Sequence, residues 1–450
     1  MATKIALVSA NRHKEPYPVY PLGTAYLKSY LLNNLKECNI DILDLNIISD
    51  LDLQEYIKTQ MPDYICISIR NVDGANSLDR RGFMPGYKQV IDVVRSTTNV
   101  PIIIGGAGFS IFPELFMMEL GVDYGIRGEG ERALCELISA LRDNSDTKNI
   151  AQLYTESYSN KKQCNYILSP HSVYEPTLVE YYWKQSGMLN IQTKRGCPYN
   201  CIYCTYPQID GSCVRTMDIE TIIGTMTKAK QDFGVNYWFF TDSVFNICNN
   251  YNEEFAEALI KSDLNISWGA YFSPSNITNS QMDMFKRSGL THIEFGTESL
   301  CDETLSAYGK RFTFDDVLRS SELALKYNVF YSHFLILAGW GETKKQLLTT
   351  IENSKRLEYT VLFPYIGMRI YPNTKLHQYA INDGVIDISD DLIEPKYYIT
   401  KDFNLEDVKQ EAMKTGKAWI FPDTPQDEIV NTLKLKRNKK GPLWEYLRKP

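Results

Sequence analysis

The stretch KRGCPYNCIYCTYP, Lys194 to Pro207, places three cysteines, Cys197, Cys201 and Cys204, within eight residues. It overlaps the end of a β-rich run, LNIQTKR, and that run is the first of a series. NYWFFT, ISWGAYF, THIEFG, YSHFLIL and YTVLFPYIGMRI follow in turn, separated by stretches of helical spacing such as DIETIIGTMTKAKQDF, EEFAEALIKS and FDDVLRSSELALKY. Strand and helix alternating through six rounds predict a partial (β/α)6 barrel of the TIM type over residues 188–375. Such barrels carry their chemistry in the loops at the C-terminal ends of the strands, and the cysteines fall in the first of these loops.

The spacing C-x-x-x-C-x-x-C is short enough for one loop to wrap a compact cluster. Zinc would need a fourth ligand, such as Cys213 or a histidine, to close its tetrahedron. An iron–sulfur cube takes one ligand per iron, so three thiolates leave one iron for a ligand that is not protein. Three structural thiols brought together by coincidence are the third reading.

Toward the N-terminus, residues 1–144 alternate the apolar runs IALVSA, DILDLN, YICISI, PIIIGG and YGIRG with amphipathic stretches. This rhythm predicts a doubly wound parallel sheet of flavodoxin or Rossmann type. Residues 145–187 break it and read as a linker, with a hairpin expected in YTESYSNKKQCNYIL. The apolar fraction of 44% and charged fraction of 23% are those of a folded soluble chain. A net charge of −7 offers no global attraction for nucleic acid. IALVSA is too short for a signal peptide or a membrane span, so a cytoplasmic location is expected. Cys38, Cys66 and Cys135 stand alone in apolar segments and read as small core residues, not a disulfide framework.

The cysteine segment resembles the signature of the radical S-adenosylmethionine enzymes, with Tyr203 at the aromatic position before the third cysteine. The resemblance implies a [4Fe-4S] cluster on Cys197, Cys201 and Cys204, S-adenosyl-L-methionine on the free iron, and its cleavage to a 5′-deoxyadenosyl radical. It also implies an external electron donor such as a flavodoxin or ferredoxin, and a small-molecule substrate. EFGTES is similar to the family's ribose-contacting segment, which makes Glu298 and Ser299 candidates. LILAGWGET resembles the glycine motif bordering the adenine, at Gly339 and Gly341. FTDSVFN stands where the family contacts the methionine moiety, at Asp242 and Ser243.

The first domain in turn resembles the cobalamin-binding domain of one radical S-adenosylmethionine subfamily, through YPLGTAYLKSYL, SIRN, GGAG and GIRGEGE. The implied contacts are Ser68, Arg70, Gly105, Gly106, Gly128 and Glu129. The Asp-x-His-x-x-Gly motif that supplies a cobalt ligand in other cobalamin proteins is absent, and His13 in NRHKEP reads as a loop residue. Arg70 would fill the lower corrin face, where a guanidinium cannot coordinate, or else anchor a phosphate or propionamide.

Residues 376–450 are expected to form an irregular, substrate-specific cap, with EPKYYIT and FPDTP as capping structure. The basic tail KLKRNKKGPLWEYLRKP, with Leu443, Trp444 and Leu447, suits either solvent or peripheral contact with an anionic membrane. HKEPYPVYPLG and SIRNVD are similar to lipid-associated members of the subfamily, which makes a lipid-like substrate one expectation. The resemblance implies methylation of an unactivated carbon, with ring rearrangement or cyclisation as the alternative. A non-catalytic cobalamin sensor with a structural metal site is the reading from another class. The acidic balance, the missing fourth ligand and the full set of barrel motifs weigh against it.

Overall fold

The computed structural model describes residues 2–14, 17–161, 174–424, 432–433 and 440–448. Strands β1 (Thr3–Ser9), β2 (Cys38–Asp44), β3 (Tyr64–Ser68), β4 (Ile102–Gly105), β5 (Tyr124–Ile126) and β6 (Leu153–Tyr154) form the first sheet, in the order β2-β1-β3-β4-β5-β6. β1 to β5 are parallel and β6 is antiparallel. A parallel sheet covered on both faces demands continuous apolar strands, and Ile5 to Val8 and Ile102 to Ile104 meet that demand, all fully buried. The strand order reverses between β1 and β3, which opens a crevice at their C-terminal ends.

The barrel strands are β7 (Leu189–Ile191), β10 (Tyr237–Phe240), β11 (Ser267–Phe272), β12 (Leu290–Glu298), β13 (Phe330–Leu337) and β14 (Val361–Ile366). The short strands β8 (Lys194–Arg195) and β9 (Arg215–Thr216) pair with each other beneath the cysteine loop. Beyond β14 come β15 (Met368–Arg369), β16 (Tyr397–Tyr398) and β17 (Ala418–Trp419). The main sheet runs β17-β14-β13-β12-β11-β10-β7, parallel throughout. Along each strand the side chains alternate: Trp238 and Phe240 pack outward against helices, while Tyr237 and Phe239 face the lumen.

Secondary structure continues into the segments expected as linker and cap. The segment 145–187 is not simply a linker, because β6 joins the first sheet and the helix Pro176–Ser186 enters the barrel core with Trp238. Tyr154 bridges Ser159 as the start of the expected hairpin, whose remainder from residue 162 lies outside the described residues. The C-terminal segment is not an irregular cap alone, since β17 adds a seventh parallel strand to the barrel sheet.

The tail also departs from expectation. Leu443 and Trp444 are buried, and Trp444 packs on Val361 and Ala418 at the starts of β14 and β17 while Arg448 covers Phe330 at the start of β13. The turn Leu443–Leu447 thus plugs the N-terminal mouth of the barrel. Lys434, Lys436, Arg437, Lys439 and Lys449 lie outside the described residues. Among the described residues no helix is long and apolar enough to cross a membrane.

Candidate functional site

The β8–β9 pair closes the base of the cysteine loop, with Lys194 opposite Thr216 and Arg195 opposite Arg215. Gly196 makes the turn at φ 91°, and a Cβ there would lie 2.1 Å from the Cys213 carbonyl oxygen. The Cys197 N–H donates to the Gly211 carbonyl at 3.1 Å, and the Ile202 N–H to the Tyr308 carbonyl at 3.2 Å. Cys197 is buried, whereas Cys201 and Cys204 keep partial access. Burial pushes the Cys204 thiol up to about 12, and the charges of Cys201 and Cys197 push the same way, which marks the three sulfurs as neighbours.

Glu298 faces this loop from the end of β12. It sits at φ 63°, unusual for a glutamate, where the register between β12 and β13 shifts. Its carboxylate accepts a hydrogen bond from the Tyr203 hydroxyl at 2.5 Å and pairs with Lys310 at 2.9 Å. Lys310 also lowers the proton affinity that burial raises at Cys201. No motif marks Lys310 in the sequence; only the loop after the helix Asp302–Ala307 brings it here. The donor set fits an iron–sulfur cube: three neighbouring thiols and a cation to offset thiolate charge.

Two of the expected contacts also have partners within the protein. Asp242 is fully buried and accepts from the Thr193 and Lys194 N–H groups at 2.7 and 3.1 Å, and from Thr193 Oγ1 and Lys194 Nζ at 2.5 and 2.8 Å. It clamps the start of the cysteine loop. Ser299 is also fully buried and spends its hydroxyl on Thr350 at 2.8 Å. Ser243 braces the turn, donating to the Gly196 carbonyl at 3.1 Å. Gly339 is needed because a Cβ would stand 2.5 Å from the Tyr308 hydroxyl, and Gly341 turns the chain at φ 78°. Next to them burial pushes the Glu342 carboxyl up to about 8, against the Ala338 N–H that it accepts at 2.5 Å.

The crevice of the first sheet opens into a cavity of about 450 Å³. Ser68, Arg70, Gly105, Gly106, Gly128 and Glu129 all line it. The opposite wall is Asn190, Gln192, Tyr206, Ile209 and Asp210, from β7 and the cysteine loop. Arg70 is exposed into this space, near enough to Tyr206 to lower its proton affinity, which burial raises. A solvent-exposed guanidinium and a glycine-rich rim suit the polar tail of a large cofactor. His13 is not part of the lining and lies beside Phe83, ring centroids 5.7 Å apart.

Glu129 and Gly106 also serve the protein itself. Glu129 is buried and pairs with Arg195 at 3.2 Å and with Arg215, while Glu131 reaches Arg195 at 2.7 Å. These pairs tie the first domain to both strands of the hairpin beneath the cysteines. Gly106, at φ 99°, lets the Ile69 carbonyl approach to 2.6 Å of where its Cβ would be, so it serves the backbone before any ligand. Gly128, at φ 75°, similarly admits the Ile209 carbonyl at 3.3 Å.

Comparison with known proteins matches two separate parts of the chain. Residues 191–353 match the radical SAM superfamily and residues 9–138 match the B12 binding domain. The tryptophan 2-C-methyltransferase of Streptomyces laurentii is 22% identical over 445 residues, covering 82% of this chain and 73% of that protein. The anaerobic magnesium-protoporphyrin IX monomethyl ester cyclase of Rubrivivax gelatinosus is 22% identical over 356 residues, 74% of this chain and 62% of that protein. The solved structure of the radical S-adenosylmethionine methyltransferase TsrM from Kitasatospora setae, with tryptophan and an S-adenosylmethionine analogue bound, shares the fold. It aligns with a TM-score of 0.86 at 19% identity, over 99% of this chain and 97% of that one.

Proposed function

The chain belongs to the cobalamin-dependent radical S-adenosylmethionine enzymes, and from that premise we propose that it transfers a methyl group to an unactivated carbon of a small molecule. Its cofactors are a [4Fe-4S] cluster, S-adenosylmethionine and cobalamin. The observation that carries the reading is the shared wall of the cavity. Tyr206, Ile209 and Asp210 line it and follow Cys204 directly in the chain, so what the cysteines hold and what the first sheet holds face one space.

In this reading Cys197, Cys201 and Cys204 hold the cluster. Tyr203 and Glu298 border S-adenosylmethionine, and Gly339 and Gly341 shape the bed for its adenine. Ser68, Arg70, Gly105 and the backbone around Gly128 receive cobalamin. When bound, these groups supply the cleavage of S-adenosylmethionine to a 5′-deoxyadenosyl radical and the methyl group that replaces the abstracted hydrogen. The protein's own part is positional. Arg70 offers a charge that cannot coordinate, Lys310 offsets negative charge beside the cysteines, and the Glu129–Arg195–Glu131 pairs hold the two halves in one orientation, which lowers the barrier entropically. A flavodoxin or ferredoxin would bring the electron.

Product counting tests the reaction. A methyltransferase of this kind is expected to use two S-adenosylmethionine molecules per product, one leaving as 5′-deoxyadenosine and one as S-adenosylhomocysteine. Deoxyadenosine in step with product but no S-adenosylhomocysteine would overturn methyl transfer in favour of rearrangement or cyclisation, the reaction for which the Rubrivivax relative is named.

A further inference from the structure

Tyr271 and Tyr365 lie on interior strands of the barrel sheet, yet they are 38% and 41% exposed. Their sequence neighbours Ala270, Phe272 and Ile366 are buried against the outer helices. The exposed faces therefore point into the lumen, which is open. Its floor is the plug: Trp444 sits edge-on to His292, ring centroids 5.9 Å apart, beneath Phe239. Its walls are aromatic, with Phe239 against Tyr271 at 4.9 Å on one side and Phe334 against Phe363 at 5.1 Å on the other.

Between these walls stands Glu294, directly opposite Tyr271 in the β11–β12 register. It is 5% exposed. One oxygen accepts the Trp444 indole N–H at 3.0 Å; the other has no hydrogen-bond partner among the described residues. Among the described residues no cation pairs with it either. The polar groups around it are the Tyr271 and Tyr365 hydroxyls, neither bonded among the described residues, with His292 below on its own strand, neutral through burial. A buried carboxylate without a countercharge is costly, and aromatic faces attract cations.

We infer that this blind lumen is the substrate pocket and that it takes an organic cation, a small molecule bearing a protonated amine, with Glu294 as the countercharge and the aromatic walls around the nitrogen. The inference rests on the methyltransferase reading above, since it names the substrate class for the same site. The substrate enters from the C-terminal ends of the strands, where Tyr271 comes close enough to Tyr206 of the cobalamin cavity to interact with it. Its amine goes down to Glu294 and its reacting carbon stays near the mouth.

Protein loaded with cluster and cobalamin is titrated calorimetrically with 2-phenylethylamine and with 2-phenylethanol, which share ring and chain and differ in charge. The amine is expected to bind about tenfold more tightly at about pH 8. Burial raises the Glu294 carboxyl to about 7, so the preference should fade as pH drops through that value and the carboxylate takes up its proton. Glu294→Gln should abolish the preference. Trp444→Phe keeps a ring in the plug but removes the N–H that stabilises the carboxylate, and should move the fading to higher pH. Failure of the amine to bind more tightly than the alcohol, whether both bind or neither does, overturns the inference, as does a preference that survives Glu294→Gln. S-adenosylhomocysteine formation is read separately: its absence would overturn methyl transfer and leave the cation pocket standing.

Discussion

Cys213 and Cys248 are exposed, while Cys197, Cys201 and Cys204 share a partly buried space with Lys310. Anaerobic reconstitution should therefore give about four irons and four sulfides per chain. Replacing the three loop cysteines together by alanine should abolish them, and Cys213→Ala with Cys248→Ala should leave them, as read by iron and sulfide analysis. Glu342 gives a prediction in pH. Its carboxyl rises from 4.5 to about 8 on burial, so its neutral form suits the fold and the ionised form does not. Its contribution to stability is fully present below 4.5 and lost as pH climbs through about 8. Glu342→Gln should melt at a temperature that falls less than the natural protein's between those two pH values. The cysteines were legible because their spacing alone is chemistry. Glu294 and Lys310 were not, because a lone acid in THIEFG and a lone lysine in YGKRF carry no local pattern.

The elements that aim the site are short. β8 and β9 have two residues each, and they hold the cysteine loop only because Gly196 turns at positive φ against the Cys213 carbonyl. The glycines of the first sheet separate into two kinds by the same criterion. Gly106→Ala would meet the Ile69 carbonyl and an unfavourable φ, and should destabilise the fold by more than about 1 kcal/mol. Gly23, which also lines the cavity, has nothing within 4 Å of an added Cβ, so Gly23→Ala should leave the melting temperature in place. Thermal unfolding beside retention of hydroxocobalamin through gel filtration separates the two. An equal loss of stability in both variants would contradict this division. Glycine after a strand was readable in GGAG; whether it serves a ligand or a neighbouring carbonyl was not, since the distinction depends on residues 37 positions away in the case of Ile69 and Gly106.

At the scale of the molecule, buried ion pairs bind the domains: Glu129 and Glu131 with Arg195 and Arg215, and Asp73 with Arg369 at 2.7 Å. Asp73→Ala leaves the Arg369 charge buried and unpaired and should lower stability by roughly 3–5 kcal/mol in denaturant titration. Unfolding should stay a single transition monitored in either domain, because neither half keeps its buried charges satisfied alone. Protein with cluster but without cobalamin should still cleave S-adenosylmethionine slowly and form no methylated product. The sequence by itself determined two parallel sheets, their order along the chain, and the cysteine loop on the first barrel strand. Periodicity and short-range spacing are properties of neighbours in the chain, so they survive in one dimension. Only the tertiary structure decided that Asp242 bonds Lys194 and Ser299 bonds Thr350, that Glu129 welds the domains, and that the tail plugs the barrel. Each of those roles is a choice between partners far apart in sequence, made by burial: a polar group withdrawn from water must bond whatever the fold brings to it.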